Sequence, residues 1–179
     1  MYKLKLSISI LTMAVLFAAC NQSQENQKSP ESDSLAMVPA VPVELQDTSV
    51  NQAYKCYEEL KDVLVTSNAS EARVAAAELS AALRMVKGSE NTAVLADKIA
   101  NSTDLSDQRS NFTALSNEVI TLFKKSEISS GSIYVQYCPM ANEGEGGFWL
   151  SSQKEIMNPY YGDEMLNCGE VKEILTKKL

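Results

Sequence analysis

From about Val50 onward, apolar residues recur at the spacing of one helix face. Ala53, Cys56, Tyr57, Leu60, Val63 and Leu64 fall at i, i+3, i+4, i+7, i+10 and i+11. The polar break Ser67-Asn68-Ala69-Ser70 then offers cap residues, with Glu71 three positions after Asn68. A second face follows in Ala72, Ala75, Ala76, Leu79, Ala82, Leu83 and Val86, and Gly88 reads as its stop. The alanines allow close helix-helix approach. A shorter third helix, Thr92 to Asn101, presents Leu95 and Ile99. Ser102, Thr103 and Asp104 offer caps for a fourth helix with a face of Phe112, Leu115, Ser116, Val119, Leu122 and Phe123. Lys124 and Lys125 in its last turn complement the macrodipole. Leu60, Leu79, Leu83, Leu115 and Leu122 are the expected core. Short connections favour antiparallel neighbours, so residues 50–126 are predicted to form an up-down four-helix bundle.

The period changes after Glu127. Ile133-Tyr134-Val135-Gln136-Tyr137-Cys138 is aromatic and β-branched, the signature of a strand. Asn142 to Gly147 reads as a turn and Phe148-Trp149-Leu150 as a second strand, giving a hairpin. Asn158-Pro159-Tyr160-Tyr161-Gly162-Asp163 reads as a rigid loop, and Gly169 precedes a last short helix through Leu175. The expected fold is mainly α: an up-down four-helix bundle followed by a small C-terminal β-hairpin and loop subdomain (residues 127–179) with a short helix, together one globular domain over 50–179.

The start of the chain does not carry fold information. Lys3 and Lys5 precede a run from Leu6 to Ala19 that is apolar apart from Ser7, Ser9 and Thr12. This is the layout of a secretory signal over residues 1–19, and it is shorter than a spanning helix of about 20 apolar residues. Phe17-Ala18-Ala19-Cys20 resembles a bacterial lipobox, which makes Cys20 the expected lipidation site. The alternative is ordinary cleavage after Ala19 with Cys20 left as a thiol. Residues 20–49 read as a tether. Asn21 to Pro30 has nothing apolar to bury, so it cannot offset its ordering entropy. Met37 to Val43 is apolar but punctuated by proline, and reads either as extended chain lying on the domain or as more linker.

Charge narrows the partners. Cleavage after residue 19 would take 16 basic residues to 14 against 23 acidic ones, a formal charge of -9. Such a chain repels nucleic acid and anionic lipid, so the expected membrane contact is the lipid anchor, in the cell envelope facing the periplasm or the surface. The sequence contains no histidine, which removes His-based triads, general bases and metal ligands. No dinucleotide fingerprint, P-loop, nucleophile elbow or calcium loop is present. Asp97, Asp104 and Asp107 read as solvated helix-surface acids. The expectation is therefore a protein that is not an enzyme.

The candidate chemistry is sulfur. Of four cysteines, lipidation of Cys20 leaves three. Cys56 sits on the apolar face of the first helix and reads as a small buried hydrophobe. Cys138 and Met140 are two apart, so on an extended strand they would share a side. Met165 and Cys168 are three apart, so in a helical turn they would share a face. Brought together, the two pairs would form a two-thiolate, two-thioether pocket, a ligand set that selects Cu(I). Met157 is a spare ligand, and Trp149 and Tyr160 are candidates to shield the site. Two other readings stand beside this one. Cys138 and Cys168 form a disulfide, as an oxidising compartment would favour, or the methionines simply fill space beside aromatic rings.

Several segments also resemble a known family. They are Tyr134-Val135-Gln136-Tyr137-Cys138-Pro139-Met140-Ala141, Phe148-Trp149-Leu150-Ser151-Ser152, Ile156-Met157-Asn158-Pro159-Tyr160-Tyr161-Gly162 and Met165-Leu166-Asn167-Cys168-Gly169-Glu170-Val171. With Tyr57 to Asp62 and Ala96 to Ala100, they are similar to an exported helical domain, domain of unknown function family 3347. The resemblance implies lipoproteins, or domains fused to adaptor subunits of copper and silver efflux pumps. It thus implies heavy-metal handling, with an efflux-pump adaptor as partner. The Cys138-Pro139-Met140 element also resembles short motifs of heavy-metal-binding segments, although alanine follows Met140 and the usual histidines are missing. The function expected from residues and resemblance together is binding of Cu(I) or Ag(I) as a buffer or donor. The alternative is a non-enzymatic interaction module closed by a Cys138–Cys168 disulfide.

Overall fold

A computed structural model describes residues 41–178 of the chain. The expected signal segment, Cys20 and most of the tether lie outside the described residues.

Four helices follow one another closely: α1 (Thr48–Val65), α2 (Ala69–Arg84), α3 (Glu90–Asn101) and α4 (Leu105–Lys125). The starts of α1, α2 and α4 are set by side-chain caps. Asp47 accepts the Ser49 and Val50 amides, Asn68 accepts that of Glu71, and Asp104 accepts that of Asp107. Each helix packs on the next in sequence, and α4 also packs on α1 and on the strand Gly147–Ser151. The predicted faces form the core: Ala53, Tyr57, Leu60, Leu64, Ala72, Leu79, Leu83, Ile99, Phe112, Leu115 and Val119 are buried. Leu122 is not fully buried; it packs on the core's edge while Phe123, one residue on, takes the interior position. Gly88 does not end α2 directly. The helix stops at Arg84, and Gly88 adopts a left-handed φ of 84° in the turn before α3.

The C-terminal part is a sheet. Strands β3 (Ser132–Cys138) and β4 (Gly147–Ser151) form the predicted antiparallel hairpin, with Cys138 opposite Gly147. The segment expected to be a terminal helix is instead β5 (Glu170–Thr176), antiparallel to β3 on its other edge. The order is β4-β3-β5. The expectation failed because Val171, Ile174 and Leu175 have helical spacing, whereas the free edge of β3 supplies a backbone partner that local pattern cannot show.

The folded part also begins earlier than Val50. Glu44–Leu45 forms β1, paired antiparallel with β2 (Ile128–Ser130), and Val43 and Leu45 are buried. The end of the expected tether is thus part of the core. Gln136, fully buried on β3, donates to the carbonyls of Gln153, Lys154 and Glu155 and fixes the loop after β4. No described helix is long and apolar enough to cross a membrane.

Candidate functional site

Strand β3 ends at Cys138, and β5 starts just after Cys168. Their register pairs Tyr137 with Glu170, so backbone hydrogen bonding holds both cysteines at one end of the sheet. The two sulfurs lie 2.7 Å apart, closer than unbonded sulfurs pack, and no bond joins them in this structure. Cys138 is buried and Cys168 is partly exposed, so the pair opens to solvent on one side. The Cys138 thiol, together with burial, raises the proton affinity of Cys168. A metal would therefore have to displace protons from the pair.

The walls are built for this arrangement. Trp149 and Tyr160 are both buried, with ring centroids 6.0 Å apart. Gly169 has a φ of 147°, and a Cβ there would stand 2.8 Å from the Trp149 ring. Only glycine lets the backbone after Cys168 pass so close beneath the indole. A Cβ on Gly147 would stand 2.6 Å from the Tyr160 ring, so that glycine makes room for the second wall. Asn158 is completely buried: its side-chain amide donates to the Cys168 carbonyl at 2.8 Å, and its oxygen accepts the Tyr160 amide at 2.8 Å. This asparagine positions both the second cysteine and the tyrosine wall.

The methionines are placed differently from the cysteines. Strand β3 ends at Cys138, so the alternation that would put Met140 on the same side does not extend to it. Met140 is 53% exposed, in the turn beyond the strand. Its carbonyl accepts the Tyr161 hydroxyl. Met165 is partly exposed, and its carbonyl accepts the Cys168 amide at 3.0 Å, closing the expected turn. Met157 is partly exposed. No group of three or more Cys, Asp or Glu side chains arranged to hold a metal occurs among the described residues. Cys56 lies apart on α1. Burial pushes its thiol up, and Gln52 donates to it at 3.5 Å.

These features define a mainly helical domain with an appended three-stranded sheet and two adjacent cysteines at the sheet's end. Residues 53–131 match the model of the family described as "Protein of unknown function (DUF3347)". The match covers most of α1 through β2 and ends before Cys138. No curated protein and no solved structure matches the chain.

Proposed function

We propose that this protein is an exported, non-enzymatic domain that binds Cu(I) or Ag(I) through reduced Cys138 and Cys168, as a buffer or donor in heavy-metal efflux. One observation supports the reading: the β3–β5 register brings two cysteines thirty residues apart to one end of the sheet, independently of any bond between their sulfurs. On this reading the pair stays assembled when reduced, the state in which thiolates bind soft ions. A d10 ion sits about 2.3 Å from each thiolate sulfur, which requires the sulfurs to part to roughly 4 Å. Cys168 lies in a partly exposed turn, where such an adjustment is local. Met140 and Met165 are near in sequence to the two thiols and could add neutral thioether ligation, with Trp149, Tyr160 and Met157 limiting water. Lipidation at Cys20 would anchor the domain in the envelope, and an efflux adaptor is the proposed partner. We read the helices as an up-down bundle, which their short connections and sequential packing support.

A second reading is favoured by the 2.7 Å sulfur separation. Oxidation would close a disulfide and leave an interaction module, stabilised by about 3 kcal/mol through loop closure in the unfolded chain. Anaerobic titration with Cu(I) against a weak competing chelator, alongside a thiol count, separates the two. The metal reading expects a single Cu(I) per reduced chain. No uptake by fully reduced protein would leave the disulfide module as the better account.

A further inference from the structure

A second feature lies on the α4 side of the same loop. A cleft of about 460 Å³ opens between the start of α4, the turn at Asn142–Gly144 and the segment at Tyr160–Glu164. That volume lies within the range of small-molecule sites. Three charged side chains line it: Arg109, Glu143 and Glu164. None of the three forms a salt bridge within 4 Å among the described residues.

Arg109 is fixed by uncharged acceptors: its Nε donates to the Pro159 carbonyl at 2.9 Å, and its Nη2 to the Leu64 carbonyl at 3.0 Å and Ser67 Oγ at 2.9 Å. The Nη1 amine has no partner among the described hydrogen bonds. The guanidinium is thus charged and lines the cleft with only the two N–H donors of Nη1 left over. Glu143 sits on a turn in which it and Asn142 both have left-handed φ, 59° and 52°. That conformation is costly for side-chain-bearing residues and fixes the direction in which the side chain leaves the backbone. Glu164 stands on the short turn Gly162–Glu164. Leu105 and Tyr161 add apolar surface.

We propose that this cleft binds a zwitterionic α-amino acid with an apolar side chain. The ligand carboxylate would take the free side of Arg109, its ammonium would face Glu143 and Glu164, and its side chain would lie against Leu105 and Tyr161. A simple anion would meet two carboxylates and a simple cation the guanidinium, whereas a zwitterion satisfies all three. This inference is independent of the soft-metal reading.

The test is equilibrium dialysis of the full chain with radiolabelled L-leucine, using acetate and butylamine as half-ligand competitors. Saturable binding at one site is expected, with neither half-ligand competing as well as unlabelled leucine. Glu143→Gln and Glu164→Gln, both at exposed positions, should each weaken binding about three- to tenfold. Arg109→Lys should weaken it further, with melting followed to show that the fold persists. No saturable retention up to about 10 mM ligand, equal competition by acetate, or wild-type affinity in both glutamate variants would overturn the proposal.

Discussion

The phenol oxygen of Tyr57 on α1 lies 2.6 Å from Ser116 Oγ on α4, deep in the core. The same oxygen accepts the Leu150 amide of β4 at 3.1 Å. One side chain thus ties two helices to the sheet that carries the thiols, and its ring stacks on Phe112 with centroids 5.6 Å apart. Tyr57→Phe keeps the ring but leaves the Leu150 amide without its acceptor. Urea denaturation should show a loss of about 1–3 kcal/mol. An unchanged midpoint would mean that the three elements are held together by other contacts.

The helical core gives a second expectation. Leu60, Leu79, Leu83 and Leu115 are fully buried. Each truncation to Ala should cost about 2–5 kcal/mol through lost transfer energy and cavity formation. Leu122→Ala should cost distinctly less, because Leu122 lies at the core's edge. Equal effects at all five positions would contradict the packing described.

Glu58 provides a pH-dependent expectation. Its Oε2 accepts both the amide and the hydroxyl of Ser152, joining α1 to the end of β4. Burial raises its pKa above the ordinary 4.5, with Lys61 and Ser152 acting in the opposite direction. A carboxyl with a raised folded-state pKa binds protons more readily when folded. Its stabilising contribution is complete below the unfolded value and is lost as pH rises through the folded one. The stability of wild type relative to Glu58→Gln should therefore fall as pH is raised from about 4 toward neutrality, read by urea midpoints at each pH. A difference that grows in favour of wild type would reverse the assignment.

Asn158 links stability to the thiol pair. Asn158→Ala removes the donor to the Cys168 carbonyl and the acceptor for the Tyr160 amide. A loss of about 1–3 kcal/mol is expected, together with weaker Cu(I) uptake, because Cys168 loses its positioning bond. Unaltered uptake in a destabilised variant would confine Asn158 to a structural role.

The helices were legible because their information is local: periodic apolar faces and cap residues such as Asn68 and Asp104. The hairpin was legible for the same reason, from β-branched and aromatic runs around a glycine-rich turn. Strand β5 was not, since Val171, Ile174 and Leu175 satisfy a helical template and only pairing with β3 makes them a strand. Strand β1 was too short for a pattern, and proline beside it argued for linker. At the site, the concentration of sulfur and the nearness of Cys138 to Cys168 could be read from the sequence. The exposure of Met140 could not, because it depends on where β3 ends. The positioning roles of Gln136, Asn158 and Arg109 could not be read, since each depends on a backbone carbonyl ten or more residues away, such as those of Gln153, Cys168 and Leu64.

The central claim is tested most directly by Cu(I) affinity across a sulfur variant series, measured anaerobically against a competing chelator. Cys138→Ser and Cys168→Ser should each lose most of the affinity. Met140→Leu and Met165→Leu should lose less, since leucine keeps volume without sulfur. Cys56→Ser should bind like wild type, because Cys56 lies on α1 away from the pair. Wild-type affinity in both Cys138→Ser and Cys168→Ser would contradict the account.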